Sequence, residues 1–281
     1  MKISVVITTY NRPDYLAMSL KSAIEQKIKA HEIIVVDDNS TTDYSAILKE
    51  LAGAQVRYIK LERSSGANVA RNIGVEASSG DVVAFLDDDD IWLKDYLKYH
   101  HDAYLADADA VVSGFKHLGN EKHVRVNSDQ RVTKESLLKG NRYCGMSGFS
   151  CKREILISNP FDTSLNNGQD WDMFVRLFLQ NFSIFNISLA IFLYRFQSID
   201  GIGAKLRKMK PNDIEKRLGS ARKHRDFLGE YWFKQRVAEQ LLGSLRFKKD
   251  KFSWVKKSVD MVGIKATADF FIRAVNHKLR N

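Results

Sequence analysis

Short apolar runs alternate with helical periodicity through the first ninety residues. Residues 3–8 form a continuous apolar run, which predicts a strand buried on both faces. Asn11-Arg12-Pro13-Asp14 breaks that run, and Pro13 opens a helical pattern carried by Leu16, Leu20, Ala23 and Ile24. Proline suits a first helical turn, where its missing N–H has no partner to lose. Residues 33–36 predict a second buried strand that stops at Asp37-Asp38-Asn39-Ser40. A helix is expected over 41–51, a third strand over 56–61, and a helix over 67–77 after Gly66. A fourth strand over 82–86 runs straight into Asp87-Asp88-Asp89-Asp90. Strands alternating with helices of this length predict an α/β fold with a mainly parallel sheet and flanking helices.

Beyond Trp92 the periods mix. Residues 95–106 read as helix, 110–115 as strand, 172–179 as helix and 184–194 as strand, whereas 119–145 are polar and keep no single period. From Pro211 onward the chain reads helical, with amphipathic candidates at 232–247 and 252–275. These patterns divide the chain into an α/β domain over 1–204 and a helical basic region over 205–281.

Charge sharpens that boundary. The 281 residues carry a net charge of +10. Residues 1–200 hold 23 Lys+Arg against 26 Asp+Glu, and residues 201–281 hold 21 against 8. The basicity therefore belongs to the last quarter, which points to an anionic partner there. No run approaches the roughly 18 apolar residues of a membrane span, and the start of the chain lacks a secretory pattern. The expected location is cytoplasmic. Cys144 and Cys151 form no CxxC pair and read as reduced thiols, with a disulfide between them left open.

Three acidic clusters carry candidate chemistry. Two carboxylates of residues 87–90 can share a face, since alternate side chains of an extended segment point the same way. Asp87 and Asp89, with phosphate oxygens and water, suit Mg²⁺ or Mn²⁺. The competing reading is a solvated acidic turn; the EF-hand spacing of glycine and closing Glu is absent. Paired aspartates at 37–38 end a buried strand, which helix capping by Asn39 or Ser40 does not explain. A carboxylate there can accept a hydrogen bond from a base N–H. In Gln169-Asp170-Trp171-Asp172, Asp170 suits either a helix N-terminal cap or a general base, and the chemistry alone leaves both open.

Val5-Val6-Ile7-Thr8-Thr9-Tyr10-Asn11-Arg12, Ile34-Val35-Val36-Asp37-Asp38-Asn39-Ser40, Ala70-Arg71-Asn72, Phe85-Leu86 with the four aspartates, and Gln169-Asp170-Trp171-Asp172 occur in this order. Together they resemble the family 2 glycosyltransferases of bacterial polysaccharide and O-antigen synthesis, over about residues 1–200. That resemblance implies the GT-A fold, a Rossmann-like sheet, and inverting transfer from a nucleotide sugar, usually UDP-linked, with Mn²⁺ or Mg²⁺. It makes 1–204 the catalytic domain, with a nucleotide-binding half over about 1–115 and an acceptor half over about 116–204. Thr9 and Tyr10 then border the nucleotide, Asp38 meets the uracil, and Arg71 and Asn72 flank the nucleotide. Asp87 lies near ribose and metal, and Asp89 binds the metal. Asp88 is grouped with the sugar-nucleotide contacts and, with Asp90, shapes the turn. Asp170 corresponds to the base. Two departures stand out: Gln169 replaces the usual Glu, and Gln197 stands where relatives carry a metal-binding His after Tyr-Arg, so it is a weak ligand.

The tail admits two readings, packing on its own apolar positions or lying on anionic lipid, which a lipid-linked saccharide acceptor would favour. The second places the protein at the inner face of the cell membrane. No recognition motif supports nucleic acid. A nucleotidyltransferase or dehydrogenase would need a glycine-rich loop after the first strand, and Thr8-Thr9-Tyr10-Asn11-Arg12 is not one. The non-enzymatic alternative is a degenerate GT-A protein serving as a membrane-surface assembly module.

Overall fold

The computed structural model describes residues 1–51, 55–196, 209–248 and 250–279. It divides into two compact units. The first comprises Met1–Lys134, Asn141–Thr163 and Met173–Phe196; the second comprises Glu135–Gly140, Ser164–Asp172 and Gln197–Asn281.

The first unit is built on one sheet of nine strands: β1 (Ile3–Thr9), β2 (Glu32–Asp37), β3 (Val56–Lys60), β4 (Val82–Asp87), β5 (Ile91–Trp92), β6 (Ala110–His117), β7 (Asn120–Arg125), β8 (Phe149–Lys152) and β9 (Ile184–Tyr194). Their order is β3-β2-β1-β4-β8-β6-β9-β5, with β7 paired to β6. The β3-β2-β1-β4 half is parallel, as the apolar runs predict. Strand β8 then runs antiparallel between β4 and β6. Its four residues are too short to show a period, and the sequence pattern gave no sign of it.

Register does the positioning. Thr9 of β1 pairs with Asp37 of β2, and Thr8 pairs with Asp87 of β4. Both Asp-ended strands therefore stop beside the end of β1. Ligands of open α/β sheets bind beyond such carboxyl ends. The helix Ala67–Ala77 lies close to β1: a Cβ at Gly74 would overlap the Val6 side chain. Gly66, at φ +92°, makes the turn into that helix, a conformation that disfavours any side chain. The helix expected over 41–51 spans only Ser45–Leu51, because Asn11 accepts hydrogen bonds from the backbone N–H groups of Thr41 and Thr42 and so ties those residues into a loop. Cys144 and Cys151 are both buried and are not joined by a disulfide.

The second unit is helical beyond residue 210, with Gly219–Lys223, Arg225–Leu242 and Lys251–Leu279 as its α-helices. The last two pack on each other around Val237, Leu241, Trp254, Val262 and Ala266. Each contains a glycine outside helical geometry, Gly229 (φ 64°) and Gly263 (φ 84°), where the helix breaks direction. The expected 232–247 helix starts earlier and ends at Leu242. Among the described residues, no helix is long and apolar enough to cross a membrane.

Candidate active site

The four successive aspartates that begin at the last residue of β4 face two ways. Asp88 and Asp90 are buried at 5% and 2% exposure, whereas the side chains of Asp87 and Asp89 keep 30% and 19%. The inward pair is consumed by the fold. Asp88 accepts hydrogen bonds from the Thr9 hydroxyl at 2.9 Å and from Arg12 Nη1 at 3.1 Å. Burial pushes its carboxyl up to about 6, against the opposing pull of Arg12. Asp90 accepts from the Ser147 hydroxyl at 2.6 Å and the Arg195 backbone N–H at 2.9 Å. Its carboxyl is pushed far up by burial, with the charges of Asp89 and Asp87 adding.

The outward pair meets cations. Arg71 Nη2 donates to Asp87 at 2.7 Å, and Arg12 Nη1 reaches Asp89 at 3.2 Å. Burial, then the neighbouring Asp87 charge, raises the Asp89 carboxyl. Arg71 also donates to Asn68, lies 5.7 Å from the Phe161 ring centre, and has a buried Nε with no hydrogen-bond partner. An orphaned buried donor of this kind is costly unless a ligand satisfies it.

These residues fit a divalent cation bound together with phosphate. Two hard carboxylates share the open side of one turn, and Mg²⁺ is commonly held by one or two carboxylates plus substrate phosphates. Among the described residues, no group of three or more His, Cys, Asp or Glu is placed to hold a metal ion, so phosphate oxygens and water would have to complete the shell. Gln197, the expected weak ligand, lies outside the described residues.

The remaining expected contacts vary in how free they are. Tyr10 is 48% exposed at the end of β1, and its ring is open to a ligand. Thr9 is buried; besides Asp88 it meets the Tyr44 hydroxyl at 3.2 Å. Asp38 accepts from the Ser64 hydroxyl and the backbone N–H groups of Ser65 and Gly66, at 2.7 to 2.9 Å. A carboxylate offers about four lone-pair sites, so three of them already brace the 64–66 loop. Asn72 spends its side-chain amide on the Phe161 backbone, donating at 3.0 Å and accepting at 2.8 Å. It thereby holds the ring that lies against Arg71.

Asp170 stands in the second unit, on the first turn of the helix Gln169–Leu179. One of its oxygens accepts the Trp171 backbone N–H at 2.8 Å, a bond to the next residue rather than the N2 or N3 bond of a helix cap. It is partly exposed, whereas Trp171 and Asp172 are buried.

Sequence reasoning passed over four participants. Arg12 bridges Asp88 and Asp89; Arg195 braces Asp90 and donates to the Asp89 carbonyl at 3.0 Å. Both stand in quoted motifs, so a signal existed. Ser147 underpins the turn by bonding Asp90 and the Asp87 N–H, and Tyr44 joins Thr9, Ser40 and the Arg12 N–H. Nothing in the local pattern around these two marks them.

A parallel half-sheet closed by an antiparallel strand, with an acidic turn at its carboxyl end, is the GT-A architecture. The family model for glycosyl transferase family 2 matches residues 4–200, and the chain belongs to that family. It is similar to the UDP-Glc:alpha-D-GlcNAc-diphosphoundecaprenol beta-1,3-glucosyltransferase WfgD of Escherichia coli, 24% identical over 211 residues, covering 74% of this chain and 82% of WfgD. In fold it is similar to S. aureus TarS 1–349 in complex with UDP-GlcNAc. That likeness has a TM-score of 0.67 at 23% identity, over 96% of this chain and 80% of TarS 1–349. It is also similar to the mannosyltransferase PcManGT of Pyrobaculum calidifontis in complex with GDP-Man and Mn²⁺. There the TM-score is 0.64 at 18% identity, over 98% of this chain and 79% of that one.

Proposed function

We propose that the protein transfers a sugar, with inversion, from a UDP-sugar to a hydroxyl of a lipid-linked saccharide in cell-surface glycan synthesis, using Mn²⁺ or Mg²⁺. The observation that carries this reading is the split of the acidic turn. Asp87 and Asp89 keep open sides beside an unsatisfied Arg71 Nε, and Asp88 and Asp90 anchor the turn from below. WfgD supplies the acceptor class, since its name specifies a diphosphoundecaprenol-linked sugar.

A bound divalent cation would neutralise the diphosphate as it departs. Asp87 and Asp89 would hold that cation, and Arg12 and Arg71 limit the negative charge the turn presents to the donor. Tyr10 offers its exposed ring to the nucleotide, and Asp38 keeps one acceptor site for the uracil N–H. Asp170 takes the acceptor proton while the acceptor oxygen bonds to the anomeric carbon and the bond to the diphosphate breaks. One such displacement inverts the anomeric centre.

The second unit supports work at an anionic membrane surface on the cytoplasmic side. Ile264, Phe271, Ile272 and Val275 are exposed by 75, 38, 57 and 56% and recur at the spacing of one helical face. They sit in the segment that carries the excess of Lys and Arg, a combination suited to anionic headgroups. Trp254, by contrast, is buried in that unit's own core.

The test is UDP release from UDP-glucose, UDP-GlcNAc and UDP-galactose, with Mn²⁺, Mg²⁺ or EDTA, and GlcNAc-diphosphoundecaprenol as acceptor. Metal-dependent turnover of one donor is expected. Turnover insensitive to EDTA would remove the metal, and no binding of any UDP-sugar would favour the non-enzymatic module.

A further inference from the structure

The segment that leads into Asp170 is fastened to the C-terminal helices. Glu135–Gly140, Ser164–Asp172 and Gln197–Asn281 form one compact unit. Asn167 accepts from Arg217 Nη2 at 2.7 Å. Gly168, at φ +72°, packs so closely on Ser220 that a Cβ there would overlap the hydroxyl. The indole N–H of buried Trp171 donates to the Leu137 carbonyl at 2.8 Å, and the Arg236 guanidinium lies 4.8 Å from its ring centre.

The centre of this arrangement is Asp172. Its side chain is 1% exposed, yet Oδ1 takes the His224 Nε2–H at 2.7 Å and the Lys223 ammonium at 2.9 Å. His224 in turn meets Trp171 edge-on, with ring centres 5.4 Å apart and planes at 86°. A buried ion pair is a weak source of stability, because desolvation offsets most of the attraction. Directional hydrogen bonds at a buried carboxylate do fix geometry. Two residues along a helix turn by about 200°, so a clamp on Asp172 sets the direction in which Asp170 points on the opposite face.

We propose that His224 is a positioning residue for transfer, acting through Asp172 and Trp171 to hold the Asp170 carboxylate in its productive direction. The inference rests on Asp170 being the base. General-base transfer is sensitive to such placement, since an error of about 1 Å can cost on the order of 10²-fold in rate.

The experiment compares His224→Ala, His224→Gln and Asp170→Asn in the full-length chain, using whichever UDP-sugar of the panel turns over. It reads kcat, donor KM, UDP affinity with Mn²⁺, and the urea midpoint. His224→Ala is expected to lower kcat at least tenfold while donor KM and UDP affinity stay within twofold of the parent and the urea midpoint is unchanged. His224→Gln, which keeps an N–H donor, is expected to recover much of kcat. Unchanged kcat in His224→Ala, or a loss that follows the midpoint and is not rescued by Gln, overturns the positioning role. Full transfer by Asp170→Asn overturns the base reading and this inference with it. A dead Asp170→Asn beside an active His224→Ala overturns this inference alone.

Discussion

The two acidic clusters solve one problem with different backbones. After β4 an irregular turn separates four aspartates into an open pair, Asp87 and Asp89, and a buried pair, Asp88 and Asp90. At the start of the helix Gln169–Leu179 a helical offset separates partly exposed Asp170 from buried Asp172. In each case the inward acid anchors the outward one. They differ in how the inward acid is satisfied. The sheet unit uses hydroxyls, one backbone N–H and Arg12, and leaves Asp88 and Asp90 with raised affinity for protons. The helical unit uses His224 and Lys223. The first arrangement suits a turn that takes up a cation; the second suits a carboxylate whose direction must not change.

The sharpest way to separate the clusters is by function. Asp170→Asn should lower transfer by about 10²–10⁴-fold, the usual contribution of a general base, with UDP affinity unchanged. Asp89→Asn should instead weaken Mn²⁺-dependent UDP binding. Isothermal titration beside UDP-release kinetics distinguishes them. If both variants lose the same quantity, the division of labour between the clusters is wrong.

Acid offers a second separation, because the sheet unit carries a titratable group buried in its core. His100 is fully buried, stacks on Tyr96, and bonds the Ser150 hydroxyl, which also meets Tyr104. Burial lowers its pKa from 6.5 to about 3. The unfolded chain therefore binds the proton that the folded unit refuses between those values. Stability is full above about pH 6.5 and falls as pH drops toward 3, with a limiting slope of about 1.4 kcal/mol per pH unit. Urea midpoints across that window should decline, and His100→Gln should flatten the decline. An unaltered slope would mean that other groups dominate acid sensitivity.

The inward acids of the turn should matter to folding more than to binding. Asp90→Leu leaves the Ser147 hydroxyl and the Arg195 N–H without their acceptor, which costs about 1–3 kcal/mol. Asp90→Asn keeps an acceptor and should cost less. Urea unfolding of the two variants ranks them; the reverse ranking would show that Asp90 acts as a charge.

How legible this was depended on whether the controlling contacts are local. The strands β1, β2 and β4 announce themselves because burial on both faces demands unbroken apolar runs, and the aspartates that stop them are conspicuous for the same reason. Strand β8 does not, because what makes it a strand is the gap between β4 and β6. Ser147 and Tyr44 were invisible for a related reason: Ser147 works through Asp87 and Asp90, and Tyr44 through Thr9 and Arg12 as well as nearby Ser40, so both depend on partners far away in the chain. The open-and-buried alternation at 87–90 was readable from side-chain geometry alone. The roles of His224 and Lys223 were not, since the basic excess of the tail drew attention to solvent and lipid, whereas these two face a carboxylate some 50 residues upstream.

The contacts of His224 and Lys223 with Asp172 constrain any test of membrane binding. Deleting residues 205–281 would remove the exposed stripe, but also Arg217, His224 and Arg236, which hold the Asp170 loop. Loss of activity in the truncated chain would then say nothing about lipid. Ile264→Glu with Ile272→Glu in the full-length chain removes apolar surface from the outward face and leaves the core face of Val262 and Ala266 intact. Full burial of each side chain would contribute about 1.5–3 kcal/mol, and insertion at an interface realises only part of that. The expected outcome is a several-fold loss of flotation with vesicles containing anionic lipid, at an unchanged urea midpoint and with UDP binding retained. The parent should also float less at high salt, since each headgroup-facing Lys or Arg contributes about 1 kcal/mol and is screened. Equal flotation of parent and variant would leave the tail with a single role, holding the base.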